Sequence, residues 1–80
     1  LSNFPTVKSK EFVSVIKSLG FSLHRQQGSH AIYKNIQGVR VVVPIHSGKD
    51  LKQNTLISMI QDIGLNKEKF FELLMKLNIV

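Results

Sequence analysis

Between Phe21 and Ile45 the chain drops the helical spacing found on either side of it, and this change of period constrains the fold more than any other feature. Phe21-Ser22-Leu23-His24-Arg25 alternates apolar and polar residues, Gln27-Gly28-Ser29 interrupts, and Ala31-Ile32-Tyr33-Lys34 resumes the pattern. Gln37-Gly38 interrupts again before Val39 to Val43, a run dominated by β-branched residues. Alternation over so few residues marks strands, and interruptions this short leave room only for hairpins. Pro44 has no N–H to give to a ladder and is expected to end the third strand. Three antiparallel strands joined by two tight turns follow.

The flanking segments return to helical spacing. Phe12, Val15, Ile16 and Leu19 form one stripe, with Ser9 as the expected N-cap and Gly20 as the stop. Lys8, Lys10 and Lys17 fall outside that stripe. After the polar stretch Lys49-Asp50-Leu51-Lys52, Gln53 or Asn54 is the expected cap of a second helix, in which Leu56, Met59, Ile60 and Ile63 face inward and Gly64 ends the stripe. Asn66 is expected to cap a last helix with Phe70, Leu73, Leu74 and Leu77 inward and Lys67, Lys69 and Lys76 outward. The order α-β-β-β-α plus a C-terminal helix predicts an α+β fold. Its three-stranded antiparallel sheet carries the helices on one face, the architecture of double-stranded-RNA-binding domains, and leaves the other face to water or a partner. With 42% hydrophobic residues and no repeat or linker, residues 1–80 read as a single domain.

The charge narrows the partners. Eleven Lys and Arg against five acidic residues give a net charge of +6, which makes a polyanion the first ligand to consider. No apolar run is long enough to span a membrane, Leu1-Ser2-Asn3-Phe4-Pro5 does not read as a signal peptide, and cysteine is absent. A cytoplasmic protein is expected. Phosphate-binding glycine loops, nucleophile elbows and helical metal-binding histidine pairs are all missing, and the three histidines do not fall at metal-ligand spacing. No metal or cofactor is expected.

His30 is the first candidate for chemistry, because it stands at the start of the second strand beside a tight turn. A turn at Gln27-Gly28 would make Arg25 its cross-strand neighbour and a clamp for phosphate. An imidazole in that place can take a proton from a ribose 2′-hydroxyl or give one to a leaving oxygen. The plain alternative is a strand-end histidine with a solvated ring. His46 follows the third strand and is an auxiliary candidate near His30, whereas His24 is expected on the face opposite Arg25. Lys49 and Lys52 precede the second helix, where lysines and free backbone N–H groups meet a phosphate together. Tyr33 and Arg40 are expected on the open sheet face, placed to stack on bases.

The run Arg25-Gln26-Gln27-Gly28-Ser29-His30-Ala31-Ile32-Tyr33 resembles the signature of the HicA family of toxins. The likeness continues through Val41-Val42-Val43-Pro44, His46, Gly48-Lys49-Asp50-Leu51-Lys52 and Thr55-Leu56 to Ile60 and Gly64, and includes Leu19-Gly20-Phe21. The resemblance implies the toxin half of a type II toxin–antitoxin pair that cleaves mRNA and is silenced by a HicB-type antitoxin. It places the catalytic histidine at His30. Independently of the resemblance, Arg25, Ser29, Tyr33, Lys49 and Lys52 are the expected RNA or phosphate contacts. Ala31 departs from the pattern, since many relatives carry a second histidine or another polar residue there. A non-catalytic RNA-binding module using the same basic surface is the rival expectation.

Overall fold

The computed structural model describes residues 4–79. Its elements are α1 (Ser9–Ser18), β1 (Ser22–Gln27), β2 (His30–Lys34), β3 (Arg40–Pro44), α2 (Gln53–Asp62) and α3 (Lys67–Ile79). The strands form one antiparallel sheet in the order β1-β2-β3, so the expected α+β topology is the observed one. Among the described residues no helix is long and apolar enough to cross a membrane.

The period of two decides which face each strand residue takes. Ala31 pairs with Val43 and Tyr33 with Val41, and all four are buried in the core with Phe12, Val15 and Ile16 of α1 and Leu56, Met59 and Ile60 of α2. His30, Ile32 and Lys34, paired with Pro44, Val42 and Arg40, belong to the opposite face. Ile32 is nonetheless buried there, between its cross-strand partners Arg25 and Val42. Tyr33 therefore corrects the expectation of a ring on the open sheet face. It is only 6% exposed because it shares the parity of Ala31, and its ring packs toward the helices. Arg40 is exposed on the open face as expected.

The first hairpin turns one residue later than expected. Gly28 and Ser29 are its two loop residues and Gln27 pairs with His30. Gly28 takes φ 57 and, among the described residues, no non-glycine residue has positive φ, the arrangement of a II′ turn with glycine first. The shift moves Arg25 opposite Ile32, so it shares a face with His30 but lies diagonal to it rather than across from it. The register also slips between Leu23 and Arg25, which leaves His24 as an extra, exposed residue in a bulge.

Helix ends follow local chemistry. Ser9 is not the N-cap of α1 but its first residue, and it is buried. Lys8 takes the extended cap conformation, and its backbone N–H donates to Glu11 Oε1 at 2.9 Å. A lysine side chain has no acceptor to return, so only the carboxylate half of a capping box forms. At the other end Gly20 N–H donates to the Lys17 carbonyl and Phe21 N–H to that of Ile16, a closure that requires the left-handed φ of 96 at Gly20. Gly64 and Leu65 close α2 through the same pair of bonds, to Gln61 and Ile60. The cap of α2 is Lys52, not Gln53 or Asn54, and no side chain bonds its first turn. Asn66 does cap α3, its Oδ1 accepting the Lys69 N–H at 2.8 Å.

The last helix is fastened to the first by rings. Phe70 and Phe12, both fully buried, stack with centroids 5.3 Å apart, and Phe4 meets Phe71 edge-on at 5.5 Å. Leu74 is buried as expected, whereas Leu77, expected inward, is more than a third exposed. A cavity in place of a fully buried phenylalanine costs about 3–5 kcal/mol, a large share of the roughly 5–15 kcal/mol that holds a domain folded. Phe70→Ala should therefore lower the urea midpoint sharply, while Met75→Ala, at a residue 65% exposed on the same helix, should stay within about 0.5 kcal/mol of the parent. Comparable losses from the two variants would contradict this packing.

Candidate functional site

The end of the sheet builds a cleft. His30 opens β2 opposite Pro44, the last residue of β3. One step further, Ile45 N–H donates to the Ser29 carbonyl at 2.6 Å, which carries the ladder past the strand and fixes where the chain leaves the sheet. Lys49 N–H then donates to the His46 carbonyl at 3.1 Å, turning the chain back. Leu51 N–H donates to the Val7 carbonyl at 2.8 Å, which ties the far end of the loop to the segment leading into α1. Val7 and Leu51 are both buried, so this tie is a packed one.

The result is a cleft of about 380 Å³ lined by His30, Pro44, His46, Lys49, Asp50, Leu51, Lys52 and Thr55. It brings together His30, His46, Lys49 and Lys52. Arg25 and Ser29 are not among its lining residues. Both are exposed beside it, Arg25 on the open sheet face and Ser29 in the turn that presents His30. Tyr33 is separated from it by its place in the core.

The cleft is cationic by construction. Its one carboxylate, Asp50, accepts a hydrogen bond from Lys8 Nζ at 2.9 Å. That hydrogen bond, and the charge of Asp50 behind it, hold the Lys8 ammonium above its ordinary range. A lysine whose pKa is raised on folding contributes stability that is complete below its unfolded value, near 10.4, and is lost as pH rises through the raised one. The pair is therefore intact at neutral pH. Among the described residues Lys49 and Lys52 have no carboxylate partner. The first turn of α2 adds backbone N–H groups that no side chain caps, and these attract anions.

Two imidazoles, two unpaired ammonium groups and an uncapped helix N-terminus in one cleft can transfer protons and hold a phosphate. Among the described residues no three His, Asp or Glu side chains are grouped to hold a metal ion. A larger hollow of about 550 Å³, between Phe4, α2 and the start of α3, contains no histidine and is chiefly apolar. Thr55 was not singled out by residue type. The signal for it is its position in the first turn of α2, three residues after Lys52. The neutralisation of Asp50 had no signal in the sequence, because its partner lies 42 residues away.

No curated protein matches the chain. A family model, the HicA toxin of bacterial toxin–antitoxin systems, matches residues 9–65. The match runs from the start of α1 to the residue that closes α2, so it contains every residue lining the cleft and stops short of α3. Covering well over half of the 80 residues, it shows that the chain belongs to the HicA family of toxin–antitoxin toxins.

Proposed function

We propose that this toxin is a metal-independent endoribonuclease that cleaves mRNA with the groups of this cleft, and that a HicB-type antitoxin silences it. The observation that carries the reading is the convergence of His30 and His46 with Lys49 and Lys52 around a carboxylate already paired to Lys8. RNA brings its own nucleophile. One imidazole takes the proton of a ribose 2′-hydroxyl, the 2′-oxygen bonds to the adjacent phosphorus, and the bond to the 5′-oxygen of the next nucleotide breaks. The other imidazole gives a proton to that departing oxygen. We assign the first role to His30, which the sheet register holds, and the second to His46 on the loop. Lys49, Lys52 and the N–H groups of α2 steady the extra negative charge of the phosphorane.

Arg25 and Ser29 flank the cleft and serve in this reading as outer contacts to RNA, and Arg25 with His30 also offers an acidic antitoxin a cationic surface to cover. Tyr33 supports the sheet beneath them and does not stack on a base.

The test is cleavage of a long single-stranded RNA in EDTA by the parent and by His30→Ala. Among the described residues the exposed imidazole of His30 has no hydrogen-bond partner, so both proteins should give the same circular dichroism. Loss of at least ~10²-fold in rate is expected for His30→Ala. Equal cutting by both would remove His30 from the chemistry, and RNA binding without any cutting would leave a binding module. His46→Ala should likewise slow cleavage, by at least ~10²-fold. An unchanged rate would assign the second proton transfer to another group.

A further inference from the structure

A second groove lies on the other side of the loop that carries His46. Its volume is about 680 Å³, and its lining includes Lys8, Lys10, Val13, Lys17, Ile45 and Ser47. The loop after β3 is the wall shared by the two depressions. Ile45, Ser47 and Gly48 line the groove, whereas Pro44, His46 and Lys49 line the cleft. The Lys8–Asp50 ion pair spans the same ridge, with its lysine in the groove and its carboxylate in the cleft.

The chemistry of the groove suits a polynucleotide. Lys10, Ser14 and Lys17 recur at i, i+4 and i+7 along α1, which sets them on one side of the helix and spaces the two lysines about 10 Å along its axis. That distance is too long for one phosphate to bridge and suits phosphates of separate nucleotides. Among the described residues neither lysine has a carboxylate partner. On α3, by contrast, Lys69 and Lys76 share Glu72 at 3.6 and 3.7 Å. Val13 and Ile45, both half-buried, form an apolar floor. A base can lie on such a floor only if it is unstacked, which favours a single strand over a duplex. Phe12, Val15 and Ile16, all fully buried, hold α1 in place beneath it.

We infer that this groove binds the stretch of single-stranded RNA next to the scissile nucleotide, with Lys10 and Lys17 on its phosphates. The strand crosses the 45–49 loop, so that its reacting phosphate lies in the cleft while its neighbours lie along α1. The inference rests on the ribonuclease reading and adds a second binding site to it.

Binding is measured in a His30→Ala background, so that the RNA stays intact, with single-stranded oligonucleotides of about 4 and about 12 nucleotides. Adding Lys10→Gln and Lys17→Gln should weaken binding of the longer RNA about tenfold at low salt. It should also make the slope of log K against log salt shallower by about 1.4, which corresponds to two lost phosphate contacts on a single strand. The shorter RNA, held by the cleft alone, should bind as before. Lys69→Gln with Lys76→Gln removes the same charge from α3 and should leave the slope unchanged. An unchanged slope in the α1 variant overturns the inference and leaves those lysines to a protein partner. An equal drop in the α3 control also overturns it, because net charge would then be the whole effect. In both cases cleavage by the parent protein would still stand. Absence of salt-dependent RNA binding by the parent background would remove the groove and the ribonuclease reading together.

Discussion

The position of one two-residue turn governs the rest of the site. Because Gly28 and Ser29 form the loop, Gln27 pairs with His30, and every residue of β2 is assigned its face. Ala31 and Tyr33 go to the helices, and His30 and Ile32 go to the other side. A slip of one residue would exchange these sets and drive His30 and Ile32 into the core in place of Ala31 and Tyr33. The same turn offers the Ser29 carbonyl to the Ile45 N–H, so it also sets where β3 hands over to the loop with His46 and Lys49. Core packing and site assembly are thus two consequences of one register. The buried Tyr33 and Val41 pair resists any slip, and His30 inherits a fixed place at no further cost in order.

The second constraint acts from the N-terminal side. Val7 and Lys8 form a short tie to Asp50 and Leu51, through the Leu51–Val7 hydrogen bond and the Lys8–Asp50 ion pair. Exposed ion pairs add little to stability, and this one matters more for what it does to the cleft. It withdraws the only lining carboxylate from Lys49 and Lys52 and leaves a cationic pocket beside two imidazoles. A basic chain places positive charge almost anywhere on its surface. Here the distribution is uneven, because Lys69 and Lys76 of α3 share the carboxylate of Glu72, whereas among the described residues Lys10 and Lys17 of α1 and Lys49 and Lys52 have no carboxylate partner.

Much of this was legible in the sequence, where the period was strong. The stripes at Phe12, Val15, Ile16 and at Leu56, Met59, Ile60 gave the helices, and the alternation between Phe21 and Val43 gave the sheet. Asn66 read correctly as a cap because its side chain has an acceptor to offer. Ser9 misled, since a good capping residue also fits inside a first turn when the preceding residue can borrow a glutamate three positions on. Tyr33 misled because an aromatic residue in a basic sheet suggests stacking, whereas parity with Ala31 sent it inward. The grouping of His30, His46, Lys49 and Lys52 was foreseeable from strand ends and loop position. The Lys8–Asp50 tie and the α1 groove were not, because each joins residues far apart in the chain that no local pattern connects.

The central claim is that this cleft works by letting the substrate attack itself, so the most direct measurement alters the substrate. Two oligonucleotides of one sequence would be compared, the first all RNA and the second carrying a single 2′-deoxy nucleotide at the position where the first is cut. The account predicts that the all-RNA strand is cleaved there and the substituted strand is bound equally well but left intact at that bond. Cleavage of the substituted strand at the same bond and a similar rate would show that the nucleophile is not the 2′-hydroxyl, and would contradict the roles given to His30 and His46.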